Sequence, residues 1–232
     1  MSLFTVDELV DGEYAVAAEI NAMFNDIAAI LNGGIAQENL ADDLPFVVAT
    51  SVGGLGSLRQ GKAGLLKLGS SPYEMLPVVC DGSKWYSAPV WVAEAGFDAT
   101  DWRFTYTADY LPTPCQALVK DWKLIHDAGM RLQVAYSCAL ATQDSALEAR
   151  VGVNVYDMDA TDTLASKTTG YDAQATTSTS FVYITRDWAQ PSVTPTQKHG
   201  RIAIGCELQA PGGGSNYAQI NQMSLGHRFV SA

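Results

Sequence analysis

The chain has little charge, and most of what it has is of one sign. Charged residues make up 17% of the 232, with 25 Asp and Glu against 14 Lys and Arg, a net charge of −11. No Lys/Arg cluster exists, which makes the chain a poor candidate for holding nucleic acid by its phosphates and a poor ligand for anionic membranes. No run of about 18 apolar residues exists either, so no membrane-spanning helix is expected. The N-terminal stretch carries Asp7, Glu8, Asp11 and Glu13 in place of a basic segment, and no standard signal peptide is expected.

Metal and redox motifs are missing too. The four cysteines, Cys80, Cys115, Cys138 and Cys206, are spaced 35, 23 and 68 apart, with no CxxC pair, too dilute for a disulfide scaffold. Cys138 and Cys206 sit among alternating apolar residues and read as buried thiols. His126, His199 and His227 form no HxH or HExxH spacing. GxSxG, Walker A and complete GxGxxG patterns are missing. The chain is therefore expected not to be an enzyme and to carry no cofactor.

What is present begins with a helix over residues 14–32. Val16, Ile20, Met23, Ile27 and Ile30 recur at spacings of 4, 3, 4 and 3, the a/d seam of a coiled coil. Phe24 and Leu31 widen the stripe beyond what one partner helix would cover. Asp11 is a suitable N-cap and Gly33 a suitable C-terminal stop. Such a short helix is marginal alone in water. Its seam must pack on its own domain or on copies of itself.

From Phe46 the apolar period changes to two. Strands are expected at Phe46–Val52, Met75–Cys80, Lys84–Val92 and Trp102–Tyr106. More are expected at Met130–Leu140, Val151–Val155, Phe181–Thr185, Ile202–Leu208 and Leu225–Val230. Asp81-Gly82 is a hairpin turn signal. Residues 114–128 fit a helix, with Thr113 as N-cap, Pro114 at N1 and Gly129 past the end, or a strand; the short helix is favoured. Nine or ten strands with turn-rich loops imply an antiparallel β-sandwich or jelly roll.

One motif carries chemistry. Asp157-Met-Asp159-Ala-Thr161 follows an apolar strand, as the nucleophilic aspartate does in dehalogenase-type phosphotransferases. Here it lies two-thirds along a chain without a βαβ rhythm, so an acidic turn bonding its own backbone is favoured. Asp157, Asp159 and Asp162 are also a weak Ca²⁺ candidate, lacking the glycine and distal glutamate of an EF-hand loop. Trp85, Tyr86, Trp91, Trp102, Tyr106 and Tyr110 lie within 26 residues. That is a density suited to saccharide stacking, although strand patterning places most of them in the core. Tyr171, Asn216 and Tyr217, in or beside polar loops, are the candidate receptor contacts.

Gly12-Glu13-Tyr14, Ala18-Glu-Ile-Asn21, Phe24-Asn25, Leu31-Asn-Gly-Gly-Ile35 and Asn39-Leu40 together resemble tailed-bacteriophage fibre and appendage proteins. Gly64-Leu-Leu-Lys-Leu-Gly-Ser-Ser71, with Asp81-Gly-Ser-Lys-Trp85, is similar to the lead-in to their C-terminal jelly-roll domains. The resemblance implies a trimeric N-terminal coiled coil joined to a β head. Val16, Ile20, Met23, Phe24, Ile27, Ile30, Leu31 and Ile35 would form the trimer interface. Residues 1–43 would be anchor and trimerising helix, 44–92 a Gly-rich junction with the first strands, and 93–232 the head. The implied function is that of a virion structural protein binding a host-surface receptor or glycan. Its partners would be two further copies of itself, and neighbouring virion proteins through the N-terminal segment. It would be made in bacterial cytoplasm and assembled on the particle. A capsid decoration or head-fibre protein is the alternative, and a polysaccharide hydrolase the third reading.

Overall fold

The computed structural model of the chain describes residues 46–70, 74–94, 102–105, 109–158, 164–168, 174–191, 193–209 and 216–232. All belong to one of the chain's two units, Pro45–Ala232. The helical seam of residues 16–35, with its trimer interface, and Tyr106, Asp159, Asp162 and Tyr171 lie outside the described residues.

In chain order the strands are β1 (Phe46–Ala49), β2 (Ala63–Leu68), β3 (Glu74–Cys80), β4 (Trp85–Ser87), β5 (Val90–Glu94), β6 (Trp102–Thr105) and β7 (Leu111–Val119). A six-residue helix α1 (Trp122–Asp127) intervenes. Then come β8 (Met130–Thr142), β9 (Glu148–Met158), β10 (Leu164–Thr168), β11 (Gln174–Thr176), β12 (Val182–Ala189), β13 (His199–Gln209) and β14 (Tyr217–Ser231). Among the described residues they form a nine-stranded sheet in the order β1-β2-β3-β4-β14-β8-β12, with β5 and β6 also on β14. The five-stranded sheet runs β10-β9-β13-β7, with β11 on β9. Pairing is antiparallel except for β1 with β2, which is parallel.

The two sheets share one core, as period-two patterning requires. Val134, Tyr136, Cys138 and Leu140 of β8 and Ile220 and Leu225 of β14 join Val151, Val153, Ile202, Ile204 and Cys206 from the smaller sheet in one buried cluster. Tyr136 crosses the interior to donate its hydroxyl to the Val151 carbonyl at 3.2 Å. All four cysteines are buried and none forms a disulfide among the described residues. Burial pushes Cys138 up to about 12 and Cys206 well above the usual thiol range, which makes both inert packing groups.

Two sequence expectations change. Residues 114–128 are half strand and half helix: Pro114 lies in β7, and α1 starts only at Trp122. Thr113, Cys115, Ala117 and Val119 are buried alternately while Pro112, Pro114, Gln116 and Leu118 face out. The inward residues are small, so their period of two was faint. Two prolines are tolerated because β7 ends its sheet and its register with β13 shifts between Pro112 and Gln116, at a bulge or irregularity. Thr113 is no helix cap; its Oγ1 accepts from Cys115 N at 3.1 Å within the strand. The expected strand Phe46–Val52 stops at Ala49 and turns into a 3₁₀ segment, Val52–Leu55, whose Leu55 is fully buried.

The Asp81-Gly82 turn forms as expected. Asp81 Oδ1 accepts from Ser83 N, Lys84 N and Ser83 Oγ, each at 2.8 Å, and these donors hold its carboxyl at about 2. Gly82 has φ 101, a left-handed conformation that favours glycine. β2 to β5 pair into the same sheet as β8 and β14, so residues 63–94 are part of the sandwich.

Candidate functional site

Among the described residues, the outer face of the nine-stranded sheet gathers one exposed ring, Trp91, and two half-buried ones, Tyr86 and Trp188. Register explains how they meet. Gly226 of β14 is paired with Trp91 of β5 on one side and Ala135 of β8 on the other. A Cβ on Gly226 would sit 2.7–2.8 Å from the Trp91 ring. The indole therefore lies against bare backbone, and its far side keeps Trp91 50% exposed. From the β12 side Trp188 leans across to it, the ring centroids 5.3 Å apart at 63°, an edge-to-face contact.

Arg228, two residues along β14, completes the group. Its guanidinium carbon is 4.5 Å from the Tyr86 ring centroid and 4.6 Å from that of Trp188. β4, carrying Tyr86, and β12, carrying Trp188, flank the β14–β8 pair on opposite sides. The guanidinium is thus held between two aromatic faces, a favourable place for a cation. Nε donates to Gln133 Oε1, from the paired β8 position, at 2.8 Å. Burial lowers Arg228 somewhat, and the neighbouring Tyr86 and Asp81 oppose that shift. Burial, then the Asp81 carboxylate, raises Tyr86. Tyr86 therefore remains a neutral phenol and Arg228 a cation at neutral pH.

An apolar row extends from this group to the sheet edge. Phe46, Ala63, Val79, Tyr86 and Val230 are successive register partners across β1, β2, β3, β4 and β14. Val79 is 53% exposed and Phe46 48%.

The sequence candidates scatter around this face. Trp85 is fully buried; Trp102 is half-buried and stacks on Phe104 at 5.6 Å. Tyr110 belongs to the other side of the molecule, where burial and then Glu207 push its hydroxyl up to about 12. Asn216 precedes β14 and Tyr217 begins it, with the Arg103 guanidinium 4.6 Å over the Tyr217 ring. Asp157 is buried, and its carboxylate accepts from Thr196 N at 2.6 Å, Thr196 Oγ1 at 2.7 Å and Gln197 N at 3.1 Å. It ties the end of β9 to the 196–197 segment. Among the described residues no three His, Cys, Asp or Glu side chains gather as a metal site.

Sequence reasoning missed Trp188 and Arg228. Trp188 lies past the expected end of its strand, and Arg228 looked like an ordinary polar position between inward His227 and Phe229. The available signal was Gly226 inside an apolar strand, which marks close approach by another group.

No protein-family model matches the chain, and no curated protein sequence matches it. Solved structures are similar at low identity. One is a structure of infectious bursal disease virus, Gt strain: 14% identity, TM-score 0.40, covering 69% of this chain and 37% of that one. Another is a crystal structure of the VP2 subviral particle of the same virus: 12% identity, TM-score 0.40, covering 70% and 40%. The chain spans about two fifths of the length of these neighbours. At this identity and score the likeness assigns neither family nor function.

Proposed function

We propose that the chain is a virion structural protein of a tailed bacteriophage. In this reading it is a homotrimeric appendage whose β head docks on the host surface through the outer face of the nine-stranded sheet. The observation that carries the reading is the Tyr86–Arg228–Trp188–Trp91 group on that apolar face. Tyr, Trp and Arg are the side chains that anchor binding surfaces, because each gives much contact for little ordering. The a/d seam of Val16, Ile20, Met23, Ile27 and Ile30 supports three-fold association. Many weak contacts on one particle would add up through avidity.

The capsid-decoration alternative draws on one specific observation. Among the described residues the first strand begins at Phe46, so the stretch between it and the expected seam ending at Ile35 is too short to hold a fibre shaft. The hydrolase reading loses support at Asp157, whose carboxylate is buried and holds three hydrogen bonds.

Sedimentation of the purified full chain at micromolar concentration tests the assembly. A particle of about three times the 24.8 kDa chain mass is expected; a monomer overturns the trimer. Immunogold labelling of virions then separates the locations, with label at the tail expected and label on the capsid shell supporting the alternative.

A further inference from the structure

A ring lying flat on a sheet and a cation held edge-outward are two halves of one recognition chemistry. With Tyr86 and Trp188 covering its two faces, Arg228 can offer new partners only the in-plane edge of its fork. Nε is engaged by Gln133 Oε1 at 2.8 Å, and among the described residues the two terminal amino groups have no protein acceptor. Such an edge matches the two oxygens of a carboxylate, which it can hold through paired charge-assisted hydrogen bonds. The long side chain is already ordered by its neighbours, so little freedom remains to be lost on binding.

Trp91 supplies the other half. Gly226 allows its indole to settle on the backbone, and the outward side suits the apolar C–H face of a sugar ring. Trp188 touches both Trp91 and Arg228, so stacking face and cationic edge are joined by one ring. On a chain of net charge −11, an acidic ligand is repelled from most of the surface and favoured where an arginine is held.

We propose that Trp91 and Arg228 form a subsite for an acidic saccharide, a uronic-acid unit whose carboxylate meets the Arg228 edge while its ring stacks on Trp91. The proposal deepens the host-surface reading. That reading assigns the source of the sugar, and the chemistry of the subsite stands independently of where the chain sits in a particle.

The test titrates the full chain with trigalacturonate, neutral maltotriose and citrate, following tryptophan fluorescence and ligand NMR saturation transfer. Trigalacturonate should half-saturate at about a millimolar or below, and maltotriose and citrate should each bind about tenfold or more weakly. Arg228→Gln should remove the preference for the acidic sugar, and Arg228→Lys should restore little of it because an ammonium has no fork. Trp91→Ala should weaken both saccharides, with Trp91→Phe recovering part of the loss; thermal melts establish that each variant folds. Equal binding of trigalacturonate and maltotriose overturns the carboxylate half, and citrate binding as tightly as trigalacturonate overturns the sugar half. No saccharide binding, with Trp91→Ala or Arg228→Gln shifting the sedimentation of the chain, overturns the proposal in favour of a protein contact. If trigalacturonate binds as expected while virions carry no label, the subsite stands and the phage reading falls.

Discussion

The outer faces of the two sheets share a layout and differ in chemistry. On the five-stranded sheet, Leu118, Arg201 and Tyr156 lie in one register row, and Gln116, Ala203 and Asn154 in the next. Arg150 pairs with Glu148 at 2.6 Å, and the fully buried Asn154 donates to Tyr110 O at 3.3 Å and Tyr156 Oη at 3.0 Å. That face is mostly polar, and its groups bond chiefly to one another, although Asn154 Oδ1 is buried without a partner among the described residues. On the nine-stranded sheet the corresponding rows are Phe46, Ala63, Val79 and Tyr86, and Val48, Leu65 and Pro77. Both faces use a glycine to admit a large neighbour: Gly205 beside Asn154 and Gly226 beneath Trp91. On the small sheet the admitted group ties down a loop, and on the large sheet it is held out to solvent. Exposed apolar surface of this kind marks interaction, which is why the proposal takes the large sheet as the working face.

Substitutions can break this comparison at graded strength. Leu225→Ala, on the inner side of β14 and fully buried, should cost about 2–5 kcal/mol in denaturant unfolding, as core truncations do. Gly226→Ala and Gly205→Ala should each cost about 1–3 kcal/mol. The added methyl would meet the Trp91 ring at 2.7 Å in one case and Asn154 Oδ1 at 2.9 Å in the other. Only Gly226→Ala should alter saccharide binding and the tryptophan emission.

His227 gives a pH handle beneath the working face. It is 7% exposed, its Nδ1 has no partner among the described residues, and burial lowers its pKa below the usual value. The unfolded chain binds the proton more readily, so stability should fall as pH drops through about 6.5 and level off below the folded pKa. His227→Leu should flatten that part of a melting-temperature series from pH 7.5 to 5.5. The smallest effects belong to exposed positions. Val79→Thr, and Glu148→Gln with its solvent-screened pair, should each stay within about 0.5 kcal/mol. Val79→Thr should nevertheless weaken docking if its row takes part in contact.

How far the sequence could be read followed from how strongly each element alternates. β8, β9 and β13 place large apolar residues at every second position and were legible. β7 was not, because its inward positions are Thr113, Cys115, Ala117 and Val119 and its prolines suggested a helix start. β2 was hidden by Gly64 and Lys67, and its parallel pairing with β1 leaves no turn signature between them. β14 extends eight residues before its expected start at Leu225; a bulge with Gln222 at φ 50 resets which side chains face inward. The aromatic cluster brings together β4, β5, β12 and β14, a juxtaposition that only the sheet order creates. Trp85 and Trp91 looked alike in sequence; the pairing of Trp91 with Gly226 separates the exposed ring from the buried one.

The central claim is that the large sheet, and not the small one, meets the partner. Under the phage proposal, hydroxyl-radical footprinting of the full chain, free and mixed with bacterial envelope fragments, tests it directly. The account predicts protection at Trp91, Trp188 and Tyr86, with Tyr156 and Leu118 unchanged. Protection confined to Tyr156, Leu118 and their face would contradict it.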